Sequence, residues 1–156
     1  MTASALRTAF SDSLKTAMKS GEQRRVATVR LILAALKDRD IAHRDTGSRD
    51  GIGDEDVMRL LQSMVRQRRD SIALYERGGR LDLAEQEREE IAIIEGFLPR
   101  QMDEAAVAAA VAAAIAEVGA KGLRDTGKVM GALKVKFAGQ MDFARAGELV
   151  RAKLKD

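Results

Sequence analysis

The chain has 156 residues, 46% of them apolar and 33% charged, so it is long enough to bury a core and too apolar for a disordered tail. It has no cysteine, a single histidine (His43) and a net charge of +3, which removes disulfide frameworks, thiolate chemistry and a histidine-built metal site. The longest apolar run, Ala105 to Ala116, falls short of the roughly 20 residues that a membrane span needs.

The opening MTASALRTAF has no charged start followed by an apolar stretch, so no signal peptide is expected. The expectation is a cytoplasmic protein with no metal, no cofactor and no membrane contact. Charge is unevenly spread: residues 1–50 carry 10 basic and 6 acidic side chains, residues 51–99 carry 7 and 11, and residues 100–156 carry 10 and 7. Basic ends of this kind permit an anionic partner.

In chain order, Ala3 to Lys19 shows Leu6, Phe10, Leu14 and Met18 at i, i+4 spacing, which predicts a first helix ending at Ser20-Gly21. Glu22 to His43 predicts a second, with Val26, Val29, Leu33 and Leu36 as its apolar stripe. RDTGSRDGIGDED then breaks the pattern with three glycines, and Asp54-Glu55-Asp56 reads as a cap and acidic first turn rather than a metal cluster. The third helix carries Val57, Leu61, Met64, Ile72 and Tyr75 up to Gly78-Gly79. A fourth carries Leu83, Glu87, Ile91, Ile94 and Leu98, with Pro99 as its stop.

After Pro99 the composition changes to an alanine-rich fifth helix, Asp103 to Val118, closed by Gly119 and Gly122. A sixth is predicted from Thr126 to Ala138, with Asp125 as N-cap and Gly139 as stop, and a seventh behind Asp142 with Phe143, Ala146, Val150 and Leu154 on one face. The fold class is therefore all-α. It comprises an N-terminal bundle of about four helices, residues 1–98, and a C-terminal three-helix domain, residues 99–156.

Gly122, Gly127 and Lys128 match the start of a phosphate-binding loop, but that motif needs Ser or Thr after the lysine, where this chain has Val129. The loop also needs a preceding strand, and an alanine-rich helix stands there. The glycines and lysines need another explanation. At about 100° per residue, Val129, Met130, Leu133 and Phe137 share the inner side of the sixth helix. Gly127, Lys128, Gly131, Ala132 and Val135 lie opposite, with Lys134 and Lys136 flanking them.

A glycine inside a helix costs about 1 kcal/mol against alanine, so Gly131 wants a reason. Either a phosphate backbone lies on it between the lysines, or another helix of this protein packs there. The residues alone leave both open.

Other charge patterns are weighed in the same way. Arg66, Arg68 and Arg69, with Arg59 on the face of Arg66, form a run that Asp70 and Glu76 are placed to neutralise. Arg30, Lys37 and Arg44 repeat at heptad spacing on the second helix. The acidic run Glu85, Glu87, Glu89 and Glu90 opposes RNA and reads as a solvated face or a surface for a basic protein. One tyrosine and four phenylalanines leave little for stacking unpaired bases.

The segment DTGKVMGALKVKFAGQMDFARAGELVRAKL resembles the C-terminal pattern of the GatB/YqeY family, and VRLILAALKDRDI, RQRRDSIALYERGGRLDLAEQEREEI and FLPRQM extend the resemblance over most of the chain. It implies a helical N-terminal domain and a tail domain similar to that of the GatB component of aspartyl/glutamyl-tRNA amidotransferase, which in that enzyme contacts transfer RNA. Gly127, Lys128, Met130, Lys136, Gly139 and Asp142 match the motif. Of these, Met130 reads as core, Gly139 as a helix stop and Asp142 as a helix start.

The chain departs from the pattern at Gln140 and Met141, where a basic residue is expected, and at Phe143, where a small one is usual. The nucleic-acid-binding candidates are Gly127, Lys128, Gly131, Lys134 and Lys136. The expected function is a noncatalytic, tRNA-binding or tRNA-associated module. The alternatives are an accessory factor in glutamine-dependent amidation of mischarged aminoacyl-tRNA, partnered by an amidotransferase, and a helical adaptor for another protein. No catalytic residues are assigned, because the sequence offers no cysteine nucleophile, no recognisable serine and lysine arrangement and no metal cluster to run that carbon-nitrogen ligase chemistry alone.

Overall fold

The computed structural model describes residues 4–45, 47 and 50–155. The described residues are all-helical, without a strand: α1 Ala5–Ser20, α2 Gln23–Arg44, α3 Asp54–Arg77, α4 Leu81–Glu95, α5 Glu104–Val118, α6 Thr126–Lys136 and α7 Phe143–Leu154. A short 3-10 turn, Leu123–Asp125, precedes α6. The chain divides into two compact units, residues 1–99 and 100–156.

In the first unit the side chain of Ser4 caps α1 by accepting the Arg7 N–H at 3.2 Å. Gly21 ends the helix in the left-handed conformation, at φ +74°, where a Cβ would be strained. The core gathers Phe10 of α1, Val29, Ile32 and Leu36 of α2, the Val57–Val65 stretch of α3 and Ile94 of α4. Met18 is 55% exposed and does not join the α1 stripe, which ends its packing at the half-buried Leu14. Thr28 is fully buried and satisfied by donating to the Arg24 carbonyl at 2.8 Å.

Two boundaries differ from the expected ones. Gly53, not Asp54, is the N-cap of α3, and no side chain caps it. The Asp54 carboxylate instead accepts from the Ser4 hydroxyl, tying the start of α3 to the start of α1. Helix α4 stops at Glu95, four residues before Pro99. Phe97 turns inward to meet Phe10 edge-on, with ring centroids 4.9 Å apart, and Pro99 disfavours helical geometry at Leu98.

Arg7 and Asp40 fasten the loop between α2 and α3 at Ile52. Arg7 donates to both Asp40 carboxylate oxygens, at 2.8 and 2.9 Å, and to the Ile52 carbonyl at 3.0 Å. Asp40 also accepts the Ile52 N–H at 2.9 Å. Gly51 passes so close that a Cβ there would overlap the Arg7 guanidinium and the Asp40 carboxylate.

Candidate nucleic-acid interface

The second unit packs α5, α6 and α7 around Val107, Val111, Val129, Leu133, Met141, Ala146, Val150 and Leu154. Alanine on α5 lets its neighbours approach closely, and Asp103 caps it by accepting the Ala106 N–H at 2.7 Å. Gly119 closes α5 at φ +65°. In α6 the inner face is the expected one: Val129 and Leu133 are buried, and Met130 and Phe137 pack against the same core.

The start of α6 is built differently from the sequence expectation. Asp125 occupies the N-cap position, but its side chain does not cap α6. The carboxylate turns back to accept the Lys121 N–H at 2.8 Å. That hydrogen bond, followed by the Gly122 N–H and the charges of Lys128 and Arg124, holds the Asp125 carboxyl below the ordinary carboxylate range against a smaller desolvation effect. The turn that opens the loop match is thus closed on a carboxylate of its own, Asp125. Helix α5, and not a strand, precedes it.

The far end of α6 is tied to the entry of α5. The helix stops at Lys136, two residues before the expected Ala138, because Phe137 leaves helical geometry at φ −125° and the Gln140 N–H closes a turn on Phe137 O. Gly139 follows, buried, at φ +75°. Its carbonyl accepts from the Gln101 side chain at 2.6 Å, and the Gln140 carbonyl accepts the Met102 N–H at 2.9 Å. Met141 enters the core at 2% exposure, and Phe143 packs against that core. The non-basic residue at 141 thus has a packing role, residue 140 contributes its backbone, and Asp142 caps α7 by accepting the Ala144 N–H at 3.0 Å.

The outer face of α6 is open. Gly127 and Gly131 are both exposed, and a Cβ built on either meets no heavy atom within 4 Å. No helix of the second unit packs where a side chain at Gly131 would stand. Val135, one turn on, is 85% exposed. Lys128 and Lys134 lie three residues to either side of Gly131, which places each about 60° around the helix from it, one below and one above. Neither lysine has an ion pair among the described residues. Lys136 differs: its ammonium pairs with Glu117 of α5 at 2.9 Å, on the opposite flank. The structure thus brings Gly127, Lys128, Gly131 and Lys134 onto one surface and engages Lys136 elsewhere.

The basic and acidic runs of the first unit neutralise one another. Arg68, only 12% exposed, bonds Glu90 at 3.1 Å and the Met64 carbonyl at 3.2 Å, with Glu87 at 3.9 Å. Arg69 pairs with Glu95, Arg88 with Glu76 and Glu85, Arg24 with Glu89, and Arg59 with Glu55 and Asp56. For Arg68 and Arg69 the carboxylates come from α4, which lies antiparallel on α3, rather than from Asp70 or Glu76. Within the acidic run of α4, Glu87 and Glu90 turn toward Arg68, while Glu85 and Glu89 stay exposed. Burial, followed by the neighbouring Glu90, raises Glu87 above the ordinary carboxyl range.

Among the described residues no single helix is long and apolar enough to cross a membrane, and no group of three or more His, Cys, Asp or Glu could hold a metal ion. The chain is 30% identical over 82 residues to an uncharacterized protein of Schizosaccharomyces pombe, a match covering 53% of this chain and 63% of that protein's length. The family model described as Yqey-like protein matches residues 7–154, nearly the whole sequence. By that extent of match, the chain belongs to the YqeY-like family.

Proposed function

We propose that this chain is a noncatalytic, tRNA-associated module of the cytoplasm, whose second unit lays the outer face of α6 along an RNA phosphate backbone. The observation that carries the reading is Gly131: a costly helix-interior glycine, exposed, with nothing of the described residues near its missing side chain. A partner that must approach the helix backbone gives it a purpose. Lys128 and Lys134 bracket the glycine, neither in an ion pair among the described residues, and phosphates are the partner such a pair suits. The few aromatics argue for contact with backbone rather than with unpaired bases.

An electrophoretic shift of total tRNA, run against duplex DNA of similar length, tests the reading. The chain is expected to retard tRNA preferentially. Replacing Lys128 and Lys134 together with alanine is expected to weaken binding of all tRNAs alike and to reduce the slope of log K against log salt by roughly 0.7 to 0.9 per lost phosphate contact. A folded double variant with wild-type affinity and slope removes α6 as the site.

A further inference from the structure

Helix α2 buries Thr28, Val29, Ile32 and Leu36 against the first unit and turns a second ordered face outward. On that face Ala27, Leu31, Ala34 and Ile41 follow one another at intervals of four, three and seven, the spacing of a coiled-coil seam. Leu31 and Ile41 are each 48% exposed. Along one edge run Arg30, Lys37 and Arg44, each seven residues after the last and each exposed. None of the three has an ion pair among the described residues, in a unit whose other arginines are largely engaged with carboxylates. At its N-terminal end the seam opens into a groove of about 360 Å³, to which Met18, Gly21 and Val26 contribute alongside Ala27 and Arg30. Met18, the methionine that left the α1 core stripe, stands 55% exposed at this groove.

We propose that the outer face of α2 docks an amphipathic helix of another protein, one with an apolar seam and glutamates or aspartates along one flank. Charge decides the occupant. Two copies of α2 in antiparallel register would set Arg30, Lys37 and Arg44 against their own counterparts. In parallel register they would meet Ala35 and Ala42, which offer no carboxylate. RNA would use the basic edge but has no need of Leu31 and Ile41 beside it. An acidic helix uses both. Asp38, exposed within the seam, requires a basic or amide side chain at its level, and such a polar position fixes register in helical pairs.

The test uses the full chain and a labelled, designed helix of about four heptads, with leucine at the seam positions except for one asparagine at the level of Asp38, and glutamate at both flanks so that it does not pair with itself. A second helix carries lysine at the flanks. Fluorescence anisotropy is expected to show binding of the glutamate helix and not of the lysine helix. The triple change Arg30→Glu, Lys37→Glu and Arg44→Glu should reverse that preference. Leu31→Asp, or Leu31→Ser where the aspartate variant loses helicity, should weaken binding by about tenfold or more.

Three results overturn the proposal. The first is equal binding of the two designed helices, or of neither. The second is loss of tRNA binding in the triple variant with no effect of Leu31→Ser, which makes the edge an RNA contact. The third is self-association of the wild type in sedimentation that Leu31→Ser abolishes, which makes a second copy the occupant.

Discussion

Arg7, Asp40, Gly51 and Ile52 form a clasp whose members lie 33 to 45 residues from Arg7, so no local spacing rule pairs them. Periodicity makes Phe10 or Val29 legible as core, because such residues repeat with the helix; a fastening between a helix and a loop leaves no such trace. The Arg7 hydrogen bond is the main cause that lowers Asp40 below the ordinary carboxylate range, aided by the Ile52 N–H and the charge of Arg44 against desolvation. A depressed carboxyl contributes stability above its unfolded value near 4 and loses that contribution as pH falls toward and through the folded value. Asp40→Asn is therefore expected to destabilise by about 1–3 kcal/mol near neutral pH and to unfold with a flatter dependence on acid below about pH 4. Urea titrations of both proteins across that range check this, and parallel acid limbs would count against the clasp. Gly51→Ala should be costly as well, although its φ needs no glycine, because the methyl group must displace the guanidinium or the carboxylate. A loss of about 1–3 kcal/mol is expected, and unchanged stability would mean that the loop yields freely.

At the scale of the helix, α6 shows which half of an element a sequence discloses. Val129 and Leu133 announce an inner face through their spacing. Whether the opposite face was covered by the protein itself depended on neighbours that spacing does not name. The same gap explains the charged helices: nearness along the chain offers Asp70 and Glu76 to Arg68 and Arg69, whereas the antiparallel α4 brings Glu90 and Glu95 to them across 22 and 26 residues. Gly131→Leu separates the two roles the glycine could have. With open space around the new side chain and a better helix former in place, stability should rise by about 0.5–1 kcal/mol. The leucine should at the same time hold an RNA backbone off the helix and weaken tRNA binding. Thermal unfolding and gel shift on one preparation read both effects, and a stabilised variant with undiminished tRNA affinity would refute the close-approach argument.

The molecule has two cores, one centred on Phe10 and Leu61 and the other on Val111 and Leu133, with the change of unit next to Pro99. The second unit contains every residue of the candidate RNA face, and its helices have side-chain caps at Asp103 and Asp142 and a buried layer drawn from all three. Physical size works against it, because a core of this scale supplies no more than about 3–5 kcal/mol when it has no disulfide or metal to help, and this chain has no cysteine. Residues 100–156 expressed alone are expected to be helical, to unfold cooperatively at low urea, and to retard tRNA under conditions where they remain folded. A folded fragment that leaves tRNA untouched would assign the RNA contact to the first unit. An unfolded fragment that gains helix when tRNA is added would still place the contact on the second unit, because binding the folded form draws the equilibrium toward it. Addition of Lys128→Ala and Lys134→Ala to the fragment decides between a surface on α6 and nonspecific attraction: only the former predicts that two of its ten basic residues account for most of the lost affinity.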